Sequence, residues 1–500
     1  MTKSKQNKKR KTTKFYKVLS FILLLFTVFA ASCLVYFEVL PVKYLIILGV
    51  IFSIIIFYII YKLNVRTNLF TKLVCSLFSF IFIFIEIVGS IYAFGTIDFF
   101  NDIFDTGLRT ETYGIYVLND SNYSRIKDLN NKNIAVKIDE EEQDSIDKAL
   151  NKLASKIKYE KSEFDSITDA SFSLENEECD ALFVNETLMN VYLEEHDNNI
   201  KLLDTIEITT KDTSEFKSVN VTKKPFVVYI SGVDNSGKVA KSSRSDVNIL
   251  AIVNPENGKI LLINTPRDYY VALASNNKYD KLTHAGIYGT SESAKTLGNL
   301  YDVDVNYYVR VNFTSFIKII DNLGGIEVDV EKPDYRYNLG IDCGSGYVCE
   351  QNSKREFGEH MIYIKSGKQT LNGEEALAYA RNRHQYNGGD IARGRHQAQI
   401  LEAIVKKASS PSILTKYNSI LKSLSSGILT NIEQKTITKL INNQLDKNIK
   451  WEIELFSVKG KDDYAECYST GKSKAYVLRA DEESLAEAKD KIKEVINIEK

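Results

Sequence analysis

The chain has 500 residues, with 64 Lys and Arg set against 65 Asp and Glu for a net charge of −1. That balance, without any helix-turn-helix or zinc-ligand spacing, argues against a nucleic-acid binder. A chain this long also exceeds one ordinary core, so several folded parts are expected.

The first elements are apolar. Residues 18–37, 44–61 and 73–95 are runs long enough to cross a bilayer as helices, the first two separated at Pro41 and the third interrupted only by Glu86. Lys3, Lys5, Lys8, Lys9, Arg10, Lys11, Lys14 and Lys17 precede the first run. Lys62, Arg66 and Lys72 follow the second, whereas the intervening loop carries only Glu38 and Lys43. The positive-inside bias therefore predicts a multi-pass cell-membrane protein with a basic cytoplasmic tail over 1–17, three transmembrane helices within 18–99, and everything beyond them outside the cell. Three successive spans with no small-residue cleavage pattern fit a cleaved signal peptide poorly. Glu86 has no basic partner in the other spans, so it reads as a packing residue and not as part of an ion path.

Residues 111–215 are rich in Asn, Lys, Glu and Asp and alternate short apolar runs (YGIYVL, NIAVKI) with a helical pattern (SIDKALNKLASKI), which predicts a small extracellular accessory α/β domain. The order of strand, DLNNKNIAV, helix and ECDALFVNETLMNVYLEE resembles one lobe of the bacterial solute-binding fold. Residues 208–224 are polar and lack apolar periodicity, so the linker is placed there.

From Phe226 the apolar β-branched runs FVVYISGVD, DVNILAIVN and KILLINTPRD are of strand length, and helical patterns follow at SFIKIIDNL, GEEALAYAR, RHQAQILEAIVKKA and EESLAEAKDKIKEVI. Strands mixed with helices over 225–500 predict an α/β sheet domain covered on both faces, whose ligands gather at strand ends. One motif there is discarded. Gly232, Gly237 and Lys238 have P-loop spacing, but Val239 stands where a hydroxyl should hold the metal, and the next segment enters a strand instead of a helix.

The Arg pattern carries the chemistry. Only 14 residues are Arg, yet four lie in the lysine-free stretch Arg381, Arg383, Arg393, Arg395. Guanidinium forks match two oxygens of a phosphate, so this reversal of a Lys-rich composition points to bound phosphate. Asp234 and Asp246, at the end of one strand and the start of the next, are oxygen ligands suited to Mg²⁺ or Mn²⁺. Arg244 and Arg267 lie beside them, so the two sets are expected to meet around a metal-bound pyrophosphate.

At these residues the chain resembles the LytR-CpsA-Psr family. Its successive blocks G-V-D (232–234), R-S-D (244–246), INTPRDYYV, VNFTSFIKIIDNLGGIEVDV, LNGEEALAYARNR and GDIARGRHQ occur in order across roughly 225–410. Three spans and an extra domain ahead of the blocks resemble the capsule-operon CpsA-type members. The resemblance implies an α/β/α domain with a central mixed sheet and an apolar groove for a polyprenyl tail. It also implies a phosphotransferase that moves a glycopolymer, capsular polysaccharide or teichoic acid, from an undecaprenyl-pyrophosphate carrier to peptidoglycan. Carried over by position, Asp234 and Asp246 bind the divalent metal, while Arg244, Arg267, Arg381, Arg383, Arg393 and Gln397 hold the pyrophosphate. Of these, Arg244, Asp246, Arg267, Arg381 and Arg383 are the expected catalytic set, and Asp390 orients the arginines. The chain departs from the family at His396, where many members have Arg and Arg395 is the alternative phosphate contact, and at Asn235 and Ser236.

The implied reaction is attack of a peptidoglycan hydroxyl on the phosphorus next to the glycan, with alignment and charge stabilisation supplied by the protein. No Ser-His-Asp or Cys-His arrangement is needed, and the general base stays unassigned. The alternatives are a non-catalytic polyprenyl-phosphate binding protein that assembles capsule enzymes, and a membrane regulator or transcriptional attenuator. Cys343 and Cys349 flank a Gly-rich loop and read either as a small extracellular disulfide or as two free thiols. The Lys-, Asn- and Ile-rich composition suits an AT-rich Gram-positive genome.

Overall fold

The computed structural model describes residues 2–36, 42–104, 108–138, 143–196, 199–211, 215–233, 242–408 and 427–497. It forms two compact units, one of residues 1–102 with 433–449 and one of 103–432 with 450–500.

In the first unit, helices α1 (Thr2–Tyr36), α2 (Val42–Asn64) and α3 (Leu69–Ile103) contain three stretches long and apolar enough to span a membrane. Leu19, Leu23, Ile56, Ile59, Leu63 and Cys75 bury against one another. Polar side chains also cross between the helices. Thr27 Oγ1 donates to Glu86 Oε1 at 2.7 Å and Asn64 Nδ2 to Ser20 Oγ at 2.9 Å, so the single acid of the third span has a helix partner.

The second unit begins with a five-stranded sheet of order β3-β2-β4-β1-β5. Its strands are β1 (Leu108–Leu118), β2 (Lys132–Lys137), β3 (Tyr159–Phe164), β4 (Ala181–Asn185) and β5 (Ile200–Lys211), joined by helices α4 (Gln143–Ala154), α5 (Ile167–Glu175) and α6 (Glu186–Glu195). Strand β5 runs into the stretch expected as linker. Ile206, Ile208 and Thr210 alternate inward, and β1 pairs with the strand as far as Leu108↔Lys211. A period of two read on Thr as well as Ile gives that strand; a search for apolar residues alone misses it.

The larger sheet is mixed and six-stranded, in the order β18-β11-β6-β7-β8-β19. Its strands β6 (Phe226–Val233), β7 (Val247–Asn254) and β8 (Lys259–Asn264) form an antiparallel meander, with β11 (Tyr307–Asn312) and β19 (Glu452–Ser457) added in parallel on either side and β18 (Ile428–Thr430) antiparallel at the edge. Between β8 and β11 lie the short ladder β9 (Tyr270–Ala272) and β10 (Tyr279–Lys281), then α7 (Leu282–Ala285) and α8 (Thr290–Tyr301). After β11 come α9 (Phe313–Leu323) and β12 (Ile326–Val330), which pairs with β17 (Gly367–Leu371). Two small ladders interrupt that pairing, β13 (Tyr337–Asn338) with β14 (Ile341–Asp342) and β15 (Tyr347–Glu350) with β16 (Ile362–Lys365). Helices α10 (Gly373–Arg381) and α11 (Asp390–Ala408) follow; α12 (Gln434–Lys447) belongs to the first unit, and the hairpin β20 (Gly460–Cys467) with β21 (Gly471–Ala480) leads to α13 (Glu482–Ile496).

Strand alternation divides the larger sheet into two faces. On one, Tyr229, Leu250, Ile252, Leu261 and Ile263 pack fully buried against α8 and α13, each aliphatic contributing roughly 2 kcal/mol of burial. The other face, Val228, Ile230, Ile249 and Val309 among others, looks toward α9, α10 and α11 across an apolar cavity of about 300 Å³. Helices on both faces of a mixed sheet give the α/β/α architecture. Cys343 and Cys349 are joined as a disulfide across the β13 to β16 segment.

Candidate pyrophosphate-binding site

The cavity ends where charged side chains begin. Its walls are aliphatic and aromatic, yet Arg381 and Gln397 line it together with Gly232 at the end of β6 and Val247 at the start of β7. Local sequence sets the position of Arg381. Asn372 caps α10 and Glu375 reaches back to the cap backbone, so the helix starts at Gly373 and delivers Arg381 in its last turn, where a cation suits the helix dipole. The guanidinium lies 5.9 Å over the Phe313 ring and donates to the Asn352 carbonyl at 3.2 Å. Burial, then the neighbouring Arg355, holds its pKa below the ordinary Arg value, and Glu350, Glu374 and Asp246 pull it back up. A guanidinium in such surroundings gains much by meeting an anion.

Helix α11 supplies Gln397 and, one turn earlier on the same face, Arg393. Gly394 lets this turn approach the end of β8, since a Cβ there would stand 2.0 Å from Asn264 Nδ2. Arg395 points elsewhere. It makes a two-pronged pair with Glu331, with Nε to Oε2 at 3.0 Å and Nη2 to Oε1 at 2.9 Å. His396 is fully buried, stacked 4.3 Å from Tyr379 and edge-on to Tyr386 at 4.4 Å, with Nε2 3.4 Å from Glu331 Oε2. Burial pushes its pKa down, against the pull of Glu331. His396, then Arg395, takes the Glu331 carboxyl down to about 2. Arg395 and His396 thus both face Glu331, just past the end of β12. Arg383 follows α10, its Nε 3.3 Å from His384 Nε2.

The second expected set begins next to Val247, which lines the cavity. Asp246 N donates to Gly232 O at 2.8 Å, which starts β7 beside the end of β6. Arg267 Nη1 donates to Asp246 Oδ1 at 2.8 Å, and Arg267 Nε lies 3.5 Å from Asp268. Ser245 is locked between them by a buried hydroxyl network with Ser231 (2.7 Å) and Tyr229 (3.1 Å), the latter also bonding Asn248 at 2.7 Å. Both forks of Arg244 donate to Glu194 in the last turn of α6, Nη2 to Oε1 at 2.9 Å. So the smaller sheet's helix reaches the same loop as Asp246.

The charge of Asp246 reaches Arg381 and Arg310, raising the pKa of each against the effect of burial. Arg310 was not anticipated from sequence. It sits on β11, fully buried, and donates to Ser243 O at 2.6 Å and Ser243 Oγ at 2.5 Å. Burial drives its pKa down to about 10, so it stays a cation beneath the loop that carries Arg244. Its signal was a lone Arg in the strand-forming run YYVRVN, a costly residue for a central strand. Glu194 and Glu331 gave no comparable signal.

Asp234 and the side chain of Asp390 lie outside the described residues, as do Asn235, Ser236 and the discarded P-loop Gly237 and Lys238. Among the described residues no group of three metal-ligating side chains occurs. Asp246, whose Oδ1 accepts from Arg267, is an oxygen donor of the kind a divalent ion takes.

The sequence pattern of the LytR_cpsA_psr family matches residues 191–494. A relative in Bacillus subtilis, the polyisoprenyl-teichoic acid–peptidoglycan teichoic acid transferase TagV, is 31% identical over 282 residues, 55% of this chain and 66% of TagV. Transferase TagU of the same organism is 30% identical over 291 residues, 58% of this chain and 84% of TagU. The crystal structure of B. subtilis TagV aligns over 56% of this chain and 99% of its own, at 29% identity and a TM-score of 0.43.

Proposed function

The chain belongs to the LytR-CpsA-Psr family, and from that premise we propose that it is a membrane-anchored transferase. It moves a glycopolymer, capsular polysaccharide or teichoic acid, from a polyprenyl-pyrophosphate carrier to peptidoglycan. The names of TagV and TagU support the class of donor and acceptor. The observation that carries the reading is the apolar cavity of about 300 Å³ ending at Arg381 and Gln397. A lipid tail needs dry apolar walls, and its diphosphate needs forked cations at the exit.

In this reading the tail lies between the larger sheet and helices α9 to α11, and Arg244, Arg267, Arg381, Arg383, Arg393 and Gln397 hold the diphosphate. Asp234 and Asp246 are the ligands for Mg²⁺ or Mn²⁺, which supplies further positive charge when bound. A sugar hydroxyl of peptidoglycan attacks the phosphorus bonded to the glycan. A new P–O bond forms to the acceptor, the bridging P–O bond breaks, and polyprenyl phosphate leaves with the electron pair. The arginines act by aligning the diphosphate and stabilising charge as it moves to the bridging oxygen. The 1–17 tail is cytoplasmic, 111–215 is an accessory domain, and 225–500 is the catalytic domain outside the cell.

The test uses the full chain in detergent with a polyprenyl-pyrophosphate-linked glycan and peptidoglycan oligomers, comparing wild type with Arg381→Ala and Asp246→Ala, with and without Mg²⁺. Metal-dependent transfer, reduced on the order of 100-fold in both variants, is expected. Tight donor binding without turnover across several acceptors would replace the transferase with a carrier-binding protein.

A further inference from the structure

A second buried polar cluster lies behind the site. Asp280, His284 and Ser469 come from β10, α7 and the turn between β20 and β21, and are 0%, 2% and 1% exposed. The Asp280 carboxylate is 2.7 Å from His284 Nδ1 and accepts from Ser469 Oγ (3.1 Å), Ser469 N (2.8 Å) and Lys281 N (2.7 Å). With a carboxylate that close, Nδ1 carries the proton and shares it with Ser469 Oγ, also at 2.7 Å.

The residue types suggest a nucleophilic triad, but the geometry excludes one. A relay needs the hydroxyl on one ring nitrogen and the carboxylate on the other. Here both sit on Nδ1, and the hydroxyl is enclosed. What the cluster does hold is α7, and α7 is stitched by its backbone to both arginine loops. Thr283 N donates to Arg267 O at 2.8 Å, Ser245 N to Thr283 O at 3.1 Å, and Ser243 N to Gly286 O at 2.9 Å. Residues on each side of Arg244, and Arg267 itself, are thereby fixed by the neighbours of His284. Gly286 permits the approach, since a Cβ there would stand 2.4 Å from Ser243 O.

We propose that Asp280, His284 and Ser469 form a positioning brace that sets Arg244 and Arg267 in register for one diphosphate. The proposal rests on the lipid-diphosphate reading of the site. A buried carboxylate that meets four donors is rigid, and its loss frees α7 to shift, moving both arginines at once. None of the three touches substrate; they act through the two guanidinium groups.

The experiment measures binding of farnesyl pyrophosphate and farnesyl monophosphate to the full chain in detergent, for wild type, His284→Ala, His284→Asn, Arg267→Ala and the double variant His284→Ala/Arg267→Ala. His284→Ala is expected to weaken pyrophosphate binding on the order of 10-fold with a smaller effect on the monophosphate. Asn places an amide N–H near the position of Nδ1 and restores most of the affinity. Because the histidine works through the arginines, its effect shrinks once Arg267 is gone. An unchanged Kd in His284→Ala, or the same loss in both backgrounds, overturns the brace. If wild type binds no farnesyl pyrophosphate, the functional reading itself fails. Amide exchange at 243–246 and 265–268 then decides the brace independently: faster exchange in His284→Ala, reversed in His284→Asn, upholds it, and unchanged exchange sinks it.

Discussion

Arg244, expected from its sequence block to face a diphosphate, donates both forks of its guanidinium to Glu194, 50 residues earlier on α6. A carboxylate presents two oxygens in the geometry of a phosphate edge, so Glu194 occupies the place an anionic ligand would take. The two side chains retain 39% and 55% of their exposure, which makes the pair weak and exchangeable.

Glu194→Gln is therefore expected to strengthen farnesyl pyrophosphate binding by about two- to five-fold, the scale of an exposed ion pair. The gain should fade as salt is raised, because screening already weakens the wild-type pair. Calorimetric titration of both proteins at low and high ionic strength checks it. Weaker binding in the variant would mean that Glu194 holds Arg244 in place for the ligand instead of competing with it.

The cavity gives a prediction that separates tail from head group. Ala251 on β7 lines it well away from the charged end, and a Phe there fills space that a long tail would need. Ala251→Phe should lose affinity for long polyprenyl pyrophosphates while binding farnesyl pyrophosphate nearly as wild type does. Its melting temperature should change little, since the added ring enters open space rather than a packed core. Equal loss for short and long tails would place the lipid elsewhere.

His396 predicts an acid-sensitive fold. Burial holds its pKa below the ordinary His value of about 6.5, so in the folded chain it stays neutral where the unfolded chain takes up a proton. Stability from this group is complete above about pH 6.5 and is lost as pH falls toward the folded value. Glu331, with its carboxyl at about 2, adds a second loss only below the ordinary Glu range of about 4.3. Denaturant midpoints measured from about pH 7 to 5 should fall in wild type and stay flatter in His396→Gln, which keeps a donor for Glu331 without a titrating ring. A parallel decline in both would assign the acid sensitivity to other groups.

The Cys343 to Cys349 bridge is tied to the site through two side chains of the turn after α10. Asn382 Nδ2 donates to Cys349 O at 2.8 Å, and Gln385 Oε1 accepts from Cys349 N at 2.8 Å. Closing so short a loop is worth about 2 kcal/mol in the unfolded-chain model. Cys343→Ser/Cys349→Ser should lower the melting temperature by several degrees and also weaken pyrophosphate binding, because Asn382 stands between Arg381 and Arg383. A thermal shift with unchanged affinity would confine the bridge to stability.

Much of the architecture was legible in the sequence because its causes are local. Apolar runs of membrane length, the period-two strands of the larger sheet, and the Asn372 and Glu375 cap that starts α10 all depend on residues a few positions apart. The lysine-free Arg stretch pointed to bound phosphate by composition alone, and the Gly-rich spacing of Cys343 and Cys349 offered the disulfide that the structure contains. Strand β5 escaped in part because Thr210 plays the role of an apolar residue in its alternation.

Direction and partnership were decided only by packing. A single helical turn sends Arg393 to the face of Gln397 and Arg395 to Glu331, and nothing in the string ARGRHQ says which face meets the cavity. Arg310 became a buried cation under the Arg244 loop, and Glu194 and Ser469 entered the neighbourhood from positions 50 and 185 residues from Arg244 and His284. Periodicity and capping are set within a turn or two of the chain. Contacts across such separations form only after sheets and helices have packed, when the volume left between them fixes which side chains are turned inward.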